Sequence, residues 1–455
     1  MSKTLLPAIC VVFTLAATVH AQTYKVLHSF GSSPGDPACP LPAGTISQSP
    51  GGNLYTALDD CFIDGGSAVR ISVNGAVTVV HSFSGVDGVG PTGGLTFATD
   101  QRFHGTTEGG GLYGQGTIFR MAPDGKTTVL YNFHGDADGG HPHSAPIQSV
   151  SGNFYGITST KYAINWGAIY KITTQGDFTV LHAFNGKDGA FAYGPIMQGA
   201  DYGFYGVAGA GGKYRAGILF RISSQGYFKV LHDFDITHGE HPIGRLIQAN
   251  DGNFYGTTAD GGAGGVGVVY RLTPNLTYTV LHDFSGDSDG ANPFGGLVEA
   301  SDGNFYGTNI KGGANSNGVV FRITPTGAFT VLHDFDQSIH SSAWTTLVQH
   351  TNGFLYGTTH YGGTAGHGVF YRVDAGLPPF VSFLTVYGRV GAHVDILGQH
   401  FTDDSVVSFN GVPAENPEIH PTYIKAIVPD GATTGLITVT TTSGTLMSNK
   451  VFVVH

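Results

Sequence analysis

Imidazole is the reactive group this chain offers most regularly. His28, His81, His182, His232, His282 and His333 each sit in a VLHxF-type phrase, and Tyr131 takes the same place in a seventh copy. An imidazole near neutral pH can accept a proton, donate one or ligate a transition metal. Regularity argues against that use here. The phrases start at Val26, Val79, Val129, Val180, Val230, Val280 and Val331, 50 to 53 residues apart, and a residue present in every repeat cannot everywhere surround one asymmetric site. Strict alternation along a strand would put each His on the same face as its flanking Val and Phe, with a hydrogen bond to the neighbouring repeat as its role. The recurrent basic residue (Arg70, Arg120, Lys171, Arg221, Arg271, Arg322, Arg372) is read likewise, paired with an acid or carbonyl of an adjacent strand.

Site chemistry is better sought where the copies depart from the phrase. The departures include His141, His143, Tyr193, His238, Glu240, His241, His340 and Trp344 ahead of the first strand of a repeat. Asp59, Asp60, Asp64, Glu108, Trp166, Tyr214, Arg215, His360, Tyr361 and His367 lie between the second and third strands. Aromatic rings stack on the apolar faces of sugars, while imidazole, guanidinium and carboxylate groups pair with hydroxyls. His141, His143, Trp166, Tyr193, Tyr214, Arg215, His238, His241, Trp344, His360 and Tyr361 are therefore the candidate ligand-binding set, with saccharide as the expected ligand. The competing enzymatic reading is a polysaccharide lyase, in which a His or Tyr base works beside a neutralising cation. His238, His241, Tyr214 and Arg215 are its first suspects, on fold analogy alone. No GxSxG elbow is present. HGEH (His238–His241) and HPH (His141–His143) bring imidazoles together without an HExxH pattern, so no metal site is assigned. No cofactor is called for; calcium at GDADG (Gly135–Gly139) or GDSDG (Gly286–Gly290) is the alternative to plain Asp-Gly turns, and both lack a bidentate Glu.

These residues need a scaffold, and the repeat supplies it. The fifth copy contains four strand-like runs, RLIQA (Arg245–Ala249), NFYGTT (Asn253–Thr258), GVVYRL (Gly267–Leu272) and YTVLHDF (Tyr278–Phe284). Asp251-Gly252 and Pro274-Asn275 punctuate them as hairpin turns do. Glycine at 71 of 455 residues and charged residues at 12% suit many short strands joined by tight turns. Four antiparallel strands in some 50 residues make a propeller blade. The fold expected is all-β: a seven-bladed propeller over residues 22–376, followed by a small Ig-like β-sandwich over 377–455. The orphan VLHSF strand at the N-terminus would complete the last blade, whose own copy stops at Val369–Val373, leaving no open sheet edge. The loop leading into each blade and the loop between its second and third strands then open on one side. Both cysteines of the mature chain, Cys39 and Cys61, fall in those two loop types, so their pairing as a disulfide is expected.

The NFYGTT…GG…G(V/I)(V/L)(F/Y)R(I/L)T…TVLHDF phrase resembles the Gloeobacter/Verrucomicrobia (GloVer) repeat from about Tyr24 to Ala375. The first copy is the least faithful, with Leu54-Tyr55-Thr56-Ala57 in place of FYGTT. The resemblance implies an exported repeat protein and transfers no catalytic residue. The C-terminal segment is similar to TIG/IPT immunoglobulin-like domains at Pro379, Gly391, Val394–Phe401, Val407–Ala414, Ile427–Pro429 and Gly435–Thr445. That likeness implies a spacer or docking role. Residues 1–21 read as a secretory signal peptide, with Lys3, an apolar core and Val19-His20-Ala21 before Gln22. The function expected is a secreted or cell-envelope, non-catalytic binding module of extracellular, periplasmic or outer-surface location, or a purely structural envelope protein. Its partner would be a polysaccharide, a cell-surface glycan or another envelope protein. A net charge of -11 argues against nucleic acid. No membrane span is expected after the signal, and a monomer is.

Overall fold

The computed structural model describes residues 23–40, 44–59, 65–135, 138–159, 166–336, 343 and 345–455. The leader at 1–21, Asp60, Cys61, Asp64, His340 and Trp344 lie outside them. Every regular element among the described residues is a strand. Seven four-stranded antiparallel sheets follow one another along the chain. The fifth is representative, with strands Ile247–Gln248, Phe254–Thr258, Val268–Leu272 and Tyr278–Asp283. In the seventh, the fourth strand comes from the N-terminus: Thr23–Ser29 lies antiparallel to Val369–Asp374, with Tyr24 opposite Val373 and Ser29 opposite Val369. Apolar clusters fill the spaces between consecutive sheets. One joins Phe30, Tyr356 and Phe370 to Leu54, Val69 and Ile71 of the first sheet.

Within a sheet, one glycine sets the packing. In six repeats the second strand carries FYG or its variant, and this glycine pairs across the ladder with an aromatic of the third strand, as Gly307 does with Phe321. A Cβ at Gly307 would lie 2.5 Å from the Phe321 ring, so the ring lies flat over the bare backbone. The first sheet breaks the phrase at both places together. Thr56 stands where the glycine belongs, and its cross-strand partner is Val69, a smaller residue. Divergence there is compensation between two packed positions.

The fourth strands each contain a bulge. Val280 pairs with Tyr270 and His282 with Val269, so Leu281 is the extra residue. The other six sheets shift register at the same place. Since adjacent residues of the third strand face opposite ways, the bulge sends Val280 and His282 to opposite faces. The expected alternation is overturned. The ring stacks on the next sheet: His182 on Phe228 (3.9 Å between centroids), His232 on Tyr278 (4.1 Å), His282 on Phe329 (4.0 Å) and His333 on Tyr24 (3.8 Å). In His28, His81 and His282 the ring also bonds an Asp of the loop leading into the next sheet. His81 Nε2 meets Asp87 at 2.6 Å and His282 Nε2 meets Asp289 at 3.0 Å. Asp289 also accepts from the Ser285 N–H, and Asp138 from Tyr131 and the His134 N–H. Asp138 and Asp289, one carboxylate of each calcium-like turn, are thus engaged by protein donors. The recurrent arginine matches its expected partnering at Arg221, which reaches Asp201 at 2.7 Å.

A second set of bonds ties sheet to sheet. In five of these sheets the Gln ending the short first strand accepts a backbone N–H from the turn of the preceding sheet. Thr99 donates to Gln148 at 2.9 Å, Val150 to Gln198 at 3.0 Å, Ala200 to Gln248 at 2.8 Å and Ser301 to Gln349 at 2.8 Å. Asn250 donates to Glu299 at 3.1 Å, and Thr351 to Gln48 of the first sheet at 3.1 Å.

Residues 379–454 fold as two further sheets. Ser382–Phe383, His393–Leu397, Tyr423–Ile427 and Glu418–His420 form one; Tyr387–Gly388, Gly444–Val454, Gly435–Thr441, Val406–Phe409 and Val412–Pro413 form the other. Val394, Ile396, Val407, Phe409, Ile424, Ile437 and Phe452 make up the core between them. This unit sits on the turns between first and second strands. Thr422 donates to the Pro50 carbonyl, Gln101 to Asp395 at 2.9 Å, Asn250 to the Asn449 carbonyl at 2.8 Å, Gln399 to Thr351 at 3.0 Å, and Tyr202 meets His455 at 2.8 Å.

Two outcomes follow from this packing. Gly307→Ala should destabilise the chain by about 1–3 kcal/mol through overpacking. In a double-mutant cycle, Phe321→Val should cost less in the Gly307→Ala background than alone; additive denaturant midpoints would contradict the coupling. The second concerns pH. Burial lowers the pKa of His182, His232 and His333 below the ordinary imidazole value, with neighbouring aspartates opposing it. Their contribution is complete above the unfolded value of about 6.5 and is lost as pH falls through the lower folded values. The unfolding midpoint should therefore fall on acidification from about pH 6.5, before carboxylates titrate. His232→Tyr, which copies Tyr131, should flatten that dependence.

Candidate ligand-binding site

The loop leading into a sheet and the loop between its second and third strands lie on the same side. Bridges join them at Val89 and Gly109, Ala190 and Ala210, Glu240 and Asp260, and Ala291 and Lys311. Five lead-in loops place a non-glycine residue at positive φ: Cys39, His141, Phe191, His241 and Asn292, at 46–55°. That conformation is unusual outside glycine, and it divides two neighbouring side chains into separate jobs.

The residue at positive φ binds other loops. His141 Nδ1 lies 2.9 Å from the Glu108 carbonyl. His241 Nδ1 meets one Asp260 oxygen at 2.9 Å, and Asn292 donates to the other at 3.0 Å. Phe191 packs edge-on against Trp166. From the opposite loop type, His360 Nδ1 meets the Pro40 carbonyl at 2.9 Å.

The residue two places later lines a cavity. His143, Tyr193, Ile243 and Phe294 converge there from four successive loops, with Gly194, Pro195, Gly244, Arg245, Gly295 and Thr346 completing the wall. The space holds about 280 Å³. The rings of His143 and Tyr193 meet at 4.9 Å and 74°, and His143 Nδ1 lies 3.9 Å from Glu108. Trp344 occupies the equivalent place of the seventh repeat and lies outside the described residues.

Arg245 is the charged member of this wall. It also lines three adjoining cavities, which run toward the C-terminal unit and are bordered there by Phe380, Ser382, Leu384 and Lys450. Arg245 is exposed, and the protein crowded around it pushes its pKa down from the usual value. Lys450 stands in the same surroundings: burial lowers its pKa, Glu299 opposes this and Arg245 adds to it. Burial raises the Glu299 carboxyl, against the Asn250 N–H and the Lys450 charge.

Of the candidates read from the sequence, then, His143 and Tyr193 line the cavity. His141, His241 and His360 stitch loops together. Trp166, Tyr214 and Tyr361 are exposed elsewhere on the loops. Of the four lyase suspects, His241 lies beside Arg215 along the backbone, its N–H donating to the Ala216 carbonyl at 3.0 Å. His238 is held by Asp235 at 2.9 Å and His241 by Asp260, while Tyr214 and Arg215 form the tip of a hairpin, with Lys213 over the Tyr214 ring. Among the described residues no group of three or more His, Cys, Asp or Glu is placed to hold a metal ion. Cys39 is buried; Cys61 lies outside the described residues. No helix among these residues is long and apolar enough to cross a membrane.

Ile243, Phe294 and Arg245 were missed in the sequence, although a signal for the last existed. At its place the other copies have Thr45, Gly94, Ala145, Pro195, Gly296 and Thr346. A lone arginine among small residues is a departure from the phrase, disguised because RLIQA also reads as a strand.

Solved structures similar to this chain include a fungal alcohol oxidase of the AA5 family in complex with copper, at 14% identity over 92% of this chain and 98% of that one, TM-score 0.47. An oligogalacturonate lyase in complex with manganese matches at 13% identity over 79% and 97%, TM-score 0.49. A putative gluconolactonase matches at 11% over 78% and 93%, TM-score 0.40. No curated protein matches. The IPT/TIG domain model matches residues 379–454, and the Gloeobacter/Verrucomicrobia repeat model matches residues 42–250 and 204–391. The chain belongs to the Gloeobacter/Verrucomicrobia repeat family and ends in an IPT/TIG domain.

Proposed function

We propose that this is an exported, non-catalytic binding protein: a closed seven-bladed propeller whose loop side takes a saccharide in the cavity between the lead-in loops. The convergence of His143, Tyr193, Phe294 and Arg245 from separate repeats on one concave space carries this reading. Rings and apolar walls with few polar groups are what a sugar needs, an apolar face to stack and a small number of directed hydrogen bonds. The N-terminal strand in the seventh sheet, and the bonds from Thr351 to Gln48, support closure of the ring. The IPT/TIG unit serves as a base on the opposite side. A lyase is the second reading, favoured by His143, Tyr193 and Arg245 lining one cavity, the right residue types for a base and a neutralising cation.

A panel of plant, algal and microbial oligosaccharides presented to the purified chain separates the readings. Binding without new ultraviolet absorbance from an unsaturated sugar end supports the first, absorbance growing with time supports the second, and silence across the panel counts against both. Tyr193→Ala and Phe294→Ala should each weaken binding roughly two- to tenfold, the value of a lost ring contact. Tyr214→Ala and His238→Ala should leave it unchanged. Export carries its own expectation: unreduced peptide mapping of the secreted chain should yield one Cys39–Cys61 linked peptide and an N-terminus at Gln22. Free thiols at both positions would count against the pairing.

A further inference from the structure

We infer that the cavity selects an acidic sugar, one whose ring carries a carboxylate that meets the Arg245 guanidinium. This rests on the saccharide reading above and specifies it.

One cation lines the cavity without a partner. Arg245 is exposed, borders four adjoining cavities and makes no hydrogen bond or ion pair with any described residue. The chain has acid to spare, with a net charge of -11, but places no described carboxylate against this guanidinium. Glu299, which lines one of these cavities, is engaged by the Asn250 N–H and faces Lys450. Two cations and one acid therefore line the adjoining cavities, and an anionic ligand would give Arg245 its counter-charge.

The wall narrows the chemistry further. A single guanidinium borders the cavity, and its planar fork matches one carboxylate in a two-point contact. Around it lie Tyr193, Phe294, Ile243 and Pro195, surfaces for a ring rather than for a freely hydrated ion. At about 280 Å³ the space is at the small end of ligand pockets, roughly 300–1,000 Å³, and fits the end of an oligosaccharide. A uronate-type residue, an apolar-faced ring bearing one carboxylate, satisfies all three conditions.

Calorimetry on the full mature chain tests this, with oligogalacturonate, oligoglucuronate, the methyl ester of each, a sulfated galactan fragment and sodium acetate as probes. The free acid should bind about tenfold or more tighter than its methyl ester, which keeps the ring and removes the charge. Added salt should reduce that gap. Arg245→Gln should abolish it, and Arg245→Lys should retain part of it. Because Arg245 is bonded to no described residue, neither variant should melt below the parent. Equal affinity for acid and ester, or an acid preference that survives Arg245→Gln, overturns the inference and leaves the saccharide reading intact. Tighter binding of the sulfated fragment overturns it as well. Acetate matching the uronates overturns both readings, as does the absence of binding by every sugar probe.

Discussion

One hydrogen bond recurs around the molecule: in five of the seven repeated sheets a side-chain amide at the end of the short first strand accepts a backbone N–H from the turn of the sheet before it. These first strands are two or three residues long, too short to fix their own position by ladder bonds. The amide does it for them, and it is made wherever Gln48, Gln148, Gln198, Gln248 or Gln349 stands. Every turn so held is also a turn available to the C-terminal unit. Glu299 is the one carboxylate in the series, and Lys450 from the last strand of the IPT/TIG unit faces it. The substitution of acid for amide keeps the acceptor and adds a charge, which marks where the two units meet.

Much of this was legible in the residues. Strand positions in the fifth repeat were readable to within two residues because glycine turns bracket short β-rich runs, and a repeat allows each copy to check the others. The IPT/TIG strands at Val406–Phe409 and Gly435–Thr441 were visible for the same reason, whereas the closing strand Gly444–Val454 was not separated from its turn. The bulge was not legible at all. Leu281 is as good a strand residue as Val280, and nothing in its chemistry announces that it is the one left out of register. The face assigned to His282 was wrong for that reason alone.

The site was half legible, and the reason is conformational. His141 and His143 look alike in HPH, yet a single backbone reversal at His141 turns one toward a neighbouring loop and the other into the cavity. The same reversal separates His241 from Ile243 and Asn292 from Phe294. Polar residues draw attention in a sequence, so His241 was favoured over Ile243, while in the structure the apolar residue lines the wall. Departure from the phrase was the correct criterion; residue type was a poor substitute for position in the turn.

The IPT/TIG unit has a consequence of its own. It contacts turns of the first, second, fourth, fifth and seventh sheets and borders the cavities that meet at Arg245. In the saccharide reading proposed above, a polymer would therefore enter from the loop side and be held by its end rather than threaded through. Occupancy would then count chain ends rather than chain mass, so a fixed weight of material would become a better target each time something else cleaved it.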